Sequence, residues 1–275
     1  MSNPWIAGLL ALFLWWFSTG TILWVVKRTD GRGLRARQIA VIGGLPFLVV
    51  GIWGYMATLN VESVAASYIA FLSALAIWGW IELAFLAGII SGPIQKPCPE
   101  DATEWERFLR AWGTIAFHEM LLVSMVFVVG IYGWGSENGV GMWTIFVLFF
   151  ARISAKLNLF FGVPKINTEF LPDVLAHLPS HFRIRRLNWF IPISITALTF
   201  AVACWLERVY AAIGAGDIVG FSLLSAITAL ALLEHWLMIL PLPDERLWRW
   251  MLPERQPAPN TNQLIKTRHE DAHGL

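Results

Sequence analysis

Seven ionisable side chains stand inside stretches otherwise suited to hydrocarbon: Glu82, His118, Glu119, Arg152, Lys156, Glu234 and His235. A charge at membrane depth is costly, so each such residue is a functional candidate by default. The polar cluster Glu82, Glu119 and Glu234 supplies carboxylates, Arg152 and Lys156 supply fixed cations, and His118 and His235 supply imidazoles. Several chemistries are open to this set. Carboxylates meeting cations form a structural ion-pair network, with Arg152 and Lys156 at i, i+4 on one helix face. An imidazole can coordinate the magnesium of a chlorophyll-type tetrapyrrole or the iron of haem, while Arg152 or Lys156 holds a keto or propionate group. Three Glu and two His also approach the ligand count of a carboxylate-bridged di-iron site. The Glu-x-x-His spacing that puts both ligands on one helix face is absent, however. His118–Glu119 and Glu234–His235 are adjacent pairs, whose side chains diverge by about 100°. A proton or ion path is the remaining reading.

The elements that must position these residues are transmembrane helices. The chain has 275 residues, 57% hydrophobic and only 14% charged, and a mean hydropathy of +0.60. Soluble domains carry about 25% charged residues. Sixteen tryptophans and eighteen phenylalanines fit a chain rich in membrane-interface anchors. A helix crossing the hydrocarbon core needs roughly 20 mostly apolar residues. Seven runs qualify: Trp5–Val26, Ile39–Leu59, Ala66–Ile90, Ala111–Tyr132, Val140–Phe161, Leu187–Leu206 and Asp217–Leu240. The expected fold is therefore all-α, a polytopic membrane helical bundle of about seven transmembrane helices. No Lys or Arg precedes the first run, so it reads as a retained helix rather than a cleaved signal.

Basic residues set the orientation. Five Lys/Arg lie in 27–38, three in 91–110, four in 162–186 and five after 240, making 17 of 20. The alternate loops hold only Arg208. Positive residues stay inside, which predicts a periplasmic amino end and a cytoplasmic carboxyl end. In that topology the candidate residues all lie roughly 7–14 Å below the cytoplasmic boundary, counted at about 1.5 Å per residue. One inward-facing polar layer is expected in the cytoplasmic half of the bundle. Residues 1–252 form a single transmembrane domain in this reading, including the cytoplasmic loop 162–186.

Within that loop, Phe170, Leu171, Val174, Leu175 and Leu178 suggest a helix lying on the membrane surface. Its polar face would carry Glu169, Asp173 and His177, read as solvated. Ala84, Gly88 and Gly92 form a small-x-x-x-small ridge for close helix contact within the bundle. Asp244 can cap an interfacial tail helix over 244–252, and 253–275 is polar and expected to be disordered, with His269 and His273 incidental. Cys98 and Cys204 fall in a loop and a helix, so no disulfide is expected between them. Net charge is only +1, so no nucleic-acid partner is expected. No mid-span lysine suits a retinal Schiff base, and no phosphate loop, Gly-x-Ser-x-Gly or His-Glu-x-x-His is present.

Two longer stretches carry a resemblance. Ser154-Ala-Lys-Leu-Asn-Leu-Phe-Phe-Gly-Val-Pro-Lys-Ile-Asn-Thr-Glu-Phe-Leu-Pro172 resembles the central signature of the PuhE family, the photosynthetic complex assembly protein 2 group. Leu233-Glu-His-Trp-Leu-Met-Ile-Leu-Pro-Leu-Pro-Asp-Glu-Arg-Leu-Trp-Arg-Trp250 resembles its closing signature, and the His118-Glu119 pair fits as well. The resemblance runs over nearly the whole chain. It implies an anoxygenic phototroph, a location in the bacterial inner membrane (cytoplasmic or intracytoplasmic photosynthetic), and genes near that of the reaction-centre H subunit. It further implies an accessory role in assembling the reaction centre and core antenna (light-harvesting 1), or in modulating bacteriochlorophyll supply. No enzyme activity and no catalytic residues are implied. The partners implied are membrane lipid and either reaction-centre and core-antenna subunits or bacteriochlorophyll biosynthesis proteins. Combined with the polar layer, the expectation is a bacteriochlorophyll or precursor held with His118 or His235 as axial ligand and Arg152 and Lys156 on its carbonyl or carboxylate groups. A metal-dependent membrane enzyme of tetrapyrrole metabolism, its metal unknown, and a purely structural scaffold are the alternatives.

Overall fold

The structure is a computed structural model that describes residues 2–166, 168 and 171–240. The tail helix over 244–252, the tail 253–275, and Glu169 and Phe170 of the loop lie outside the described residues. Among the described residues, eight α-helices follow in chain order: α1 Pro4–Thr29, α2 Gly33–Gly43, α3 Leu45–Thr58, α4 Val64–Leu86, α5 Glu104–Gly133, α6 Val140–Phe161, α7 Phe190–Ala211 and α8 Ala215–Leu237. With α2 and α3 taken together, seven helical segments are long and apolar enough to cross a membrane. The only β pairing among the described residues is one isolated bridge, Val163 to Ile184.

The helix starts follow local chemistry. Asn3, Ser63 and Thr103 place side-chain oxygens on the first free amides of α1, α4 and α5, as N-caps do. Asn188 accepts from the amides of Phe190 and Ile191 at the start of α7. The expected second span is broken between α2 and α3. Pro46 has no amide to donate, and its ring clashes with the carbonyl four residues back. Trp80 of α4 supplies a donor at the break, its indole Nε1 lying 3.0 Å from the Val41 carbonyl.

α4 and α8 are the central helices, the most buried of the seven segments. α4 packs on α3, α6, α8 and α1, while α8 packs on α7, α1, α4 and α6. One apolar cluster joins Ile77 and Ile81 of α4 to Leu122 and Met125 of α5 and Ile145 of α6. A second joins Ala7 and Ala11 of α1 to Phe71 of α4 and Leu223 and Ile227 of α8. Tyr55 ties α3 to α5 through a 2.7 Å hydrogen bond from its hydroxyl to the Val129 carbonyl. The outward faces of α1, α3 and α5 carry exposed Trp5, Phe13, Phe47, Trp53 and Phe127, as lipid-facing helices do.

α4 stops four residues short of the expected end. Gly88 takes a positive φ of 66°, and its amide and that of Ile89 return to the carbonyls of Phe85 and Ala84, a Schellman-type stop. Arg37 from α2 completes the cap by donating to the Ala87 carbonyl at 3.1 Å. The small-residue ridge is therefore not a helix face. Past the stop, the chain runs extended against α5: the Ile94 amide donates to the Gly113 carbonyl, and the His118 amide donates to the Ser91 carbonyl, each at 3.1 Å. Gly92 permits this contact, because a Cβ there would collide with the Gly113 carbonyl and the Thr114 backbone.

The loop 162–189 also differs from expectation. It is no single surface helix but two short 3₁₀ turns, Asp173–Leu175 and Leu178–His181. Pro172 and Pro179 interrupt the helical register. Leu175 and Leu178 are buried against Phe85 rather than laid on lipid. Of the apolar stripe expected on lipid, Leu175 and Leu178 face the bundle instead. Gly92→Ala should lower the melting temperature in detergent, by about 1–3 kcal/mol equivalent for overpacking, whereas Gly8→Ala, with open space at its Cβ, should leave it unchanged.

Candidate functional site

α4, α5 and α6 bring five of the seven candidates together. Glu82 of α4 accepts a hydrogen bond from Arg152 Nη2 of α6 at 2.7 Å. Glu119 of α5 forms an ion pair with Lys156, one turn further along α6. His118 links the two pairs: its Nε2 stands 3.8 Å from Glu82 Oε1, and it precedes Glu119 in the chain. The layer is thus one connected string of two carboxylates, two cations and one imidazole. The spacing of Arg152 and Lys156 dictates this, since i, i+4 residues share a face and meet acids from two helices.

The environment of the string is dry. Glu119 and His118 are almost fully buried, and Glu82 nearly so. The His118 ring rests on Phe85, centroids 4.3 Å apart, and the Lys156 ammonium approaches the same Phe85 ring at 5.8 Å. Neither ring nitrogen of His118 has a hydrogen-bond partner, nor do Glu82 Oε1 and Glu119 Oε2. Exposure is on the cations: 36% of the Arg152 side chain and 19% of the Lys156 side chain is accessible, against 10% for Glu82 and 2% for Glu119.

The other two candidates stand apart. His235 of α8 is buried, but it bonds within its own neighbourhood. Its Nδ1 donates to the Ala231 carbonyl at 2.8 Å, so the proton sits there, and its Nε2 accepts from Ser154 Oγ at 2.9 Å. Glu234 is exposed rather than turned inward, within electrostatic reach of Arg152 and Glu82. The expected inward layer therefore holds for Glu82, His118, Glu119, Arg152 and Lys156, and not for Glu234. Among the described residues, no three His, Cys, Asp or Glu are grouped to hold a metal ion.

An enclosed pigment does not fit these residues. His118 is shut against Phe85, His235 Nε2 is taken by Ser154, and a cavity of about 610 Å³ at the other end of α6 is lined by other residues.

Comparison with known proteins now adds to the geometry. Residues 1–259 match a family described as protein of unknown function, DUF3623. A relative from Rhodobacter capsulatus is 52% identical over 269 residues, covering 98% of each chain. The chain belongs to the DUF3623 family. That relative bears the name "Uncharacterized 30.4 kDa protein in puhA 5'region". No solved structure matches the chain.

In this DUF3623 chain the described residues of the loop 162–189 form a lid over Phe85 beside the ionic layer. Arg107, counted among loop cations, is a buried residue of α5. Its guanidinium donates to the His181 carbonyl at 2.7 Å and to the Phe160 carbonyl, and lies 3.8 Å over the Phe160 ring. Glu104 pairs with Arg183. Asn188 donates to the Gly162 carbonyl at 2.8 Å, and Asn158 to Ser194 Oγ at 2.9 Å. Polar residues within expected spans, as Asn158 in Val140–Phe161 and Asn188 in Leu187–Leu206 are, were the signal available. His177, read as solvated, is buried, and so is His181. Cys98 and Cys204 are both free.

Two outcomes follow from this geometry. Glu119→Gln strands the Lys156 charge and should cost about 3–5 kcal/mol. Glu119→Gln with Lys156→Met should recover much of that loss in the same detergent unfolding assay. In the lid, burial holds the His177 and His181 imidazoles below their ordinary value of 6.5. The folded lid then refuses protons that the opened lid accepts. Its stability is complete above about pH 6.5 and declines as pH falls below that value. Hydrogen exchange of 171–186, corrected for intrinsic rates, should accelerate on moving from about pH 7.5 to about pH 5, and His177→Gln/His181→Gln should flatten the dependence.

Proposed function

We propose that the protein is a membrane accessory factor for assembling bacterial photosynthetic reaction-centre and core-antenna complexes, the role implied by the PuhE resemblance. The observation that carries this reading is the 52% identity, over essentially the whole chain, to a protein named for the 5' region of puhA. The seven membrane-crossing segments suit a partner that is itself built in the membrane. In this reading the ionic layer and its lid face the cytoplasmic side of the inner or intracytoplasmic membrane, an orientation that the Lys/Arg asymmetry of the loops supports.

Within that role, the accessible edge of the layer is the working part. Arg152, partly exposed and held by Glu82, presents N–H donors at membrane depth to a carbonyl or carboxylate group. A bacteriochlorophyll or its precursor, carried by an assembling subunit, offers such groups. His118 and His235 then act by packing rather than as axial ligands, Lys156 balances the charge of Glu119, and Glu234 guards the same edge. The scaffold alternative has one observation in its favour, the complete pairing of Arg152 and Lys156 with acids.

Deleting the gene in a phototrophic host should lower assembled reaction centre and core antenna per cell, read from near-infrared absorption of membranes. The intact gene should restore it. Arg152→Gln, accumulating to the normal level, should not restore it. Full complex levels in the deletion strain would refute the assembly role. Full rescue by Arg152→Gln would leave the layer a scaffold.

A further inference from the structure

At the end of the bundle away from the Lys/Arg-rich loops, the starts of α6 and α8, the end of α7 and the turn before α4 surround a cavity of about 610 Å³. None of the ionic-layer residues lines it. One wall is aromatic. Trp205 stacks on Phe221 with centroids 6.2 Å apart, and Trp143 meets Trp205 edge-on at 5.5 Å. The Trp205 indole N–H is buried without a hydrogen-bond partner. The charged groups on the lining are Arg208, lying 5.8 Å from the Phe221 ring, and the carboxylates Glu62, Glu137 and Asp217. No ion pair joins Arg208 to any of the three.

This composition calls for a ligand with both signs of charge. Aromatic faces with carboxylates beside them attract an alkylammonium. A guanidinium and a free indole N–H attract a phosphate oxygen. Tryptophans at the ends of membrane-crossing helices mark headgroup depth, where a phosphodiester and an amine occur together in lipid. We infer that this cavity binds the headgroup of a zwitterionic phospholipid, its amine toward the aromatic and carboxylate side and its phosphate toward Arg208 and Trp205.

Cys204, exposed and on the cavity lining, reports occupancy directly. The full chain carrying Cys98→Ser is purified in mild detergent, and alkylation of Cys204 is timed with added dioctanoyl phosphatidylcholine or dioctanoyl phosphatidylglycerol. Phosphatidylcholine should slow alkylation about tenfold once it stands at roughly ten times its Kd, since the free fraction falls as 1/(1 + [L]/Kd). Phosphatidylglycerol, with the same tails, should protect far less. Arg208→Gln/Asp217→Asn, at exposed positions, should abolish the difference without changing the unprotected rate. Equal protection by the two lipids, or none by either, would overturn the assignment. Glycerophosphocholine acting as potently as the lipid would overturn it in favour of a soluble phosphodiester.

Discussion

A charge taken out of water needs a counter-charge at contact distance, and in hydrocarbon that requirement is close to absolute. The interior of this bundle is arranged around meeting it twice. Glu82 is answered by Arg152 and Glu119 by Lys156, so the layer is neutral as a whole. Both cations come from α6, and the acids from α4 and α5. The pairs therefore fix how three helices sit along their axes, since sliding α6 by one turn would put Lys156 where Arg152 stands and leave an acid unanswered. His118 lies between the pairs, and its ring is clamped on Phe85.

The backbone around the layer serves the same constraint. α4 ends early at Gly88, and the chain past it runs along α5, where the Ser91 carbonyl receives the His118 amide. Leu175 and Leu178 cover Phe85 from the loop side, and Arg107 anchors that cover to α5 and α6. The two acids are thereby covered, and access to the layer is left at the Arg152 and Lys156 side chains. The opposite end has a different character: an open, aromatic-walled cavity with carboxylates on its lining. A buried ionic end and an aromatic-walled end make the two halves of the bundle chemically distinct.

Much of this was legible in the sequence, because membrane cost is a strong filter. Spans could be read from apolar length, and α6 matched its expected limits, Val140–Phe161. Glu82, His118, Glu119, Arg152 and Lys156 were identifiable by expense alone. What the sequence left open depended on tertiary contact. An Arg152–Glu119 pairing was as reasonable as Arg152–Glu82 until helix positions were known. The break at Pro46 was local and readable, yet a continuous apolar run masked it. Glu234 is exposed while the adjacent His235 is buried, a fact of α8 rotation that their adjacency does not reveal. The loop stripe gave the right buried residues, Leu175 and Leu178, with the wrong surface, because apolar periodicity does not say whether lipid or protein covers it.

The two ion pairs require Glu82 and Glu119 to be ionised inside the bundle. Infrared spectra of the protein in lipid at neutral pH, compared with Glu82→Gln and Glu119→Gln, test this directly. Each substitution should remove carboxylate stretching intensity and leave the protonated-carboxyl region unchanged. A protonated-carboxyl band in the wild type that disappears in either variant would mean that the acid is neutral, and that the ion pairs on which the bundle is argued to depend do not exist.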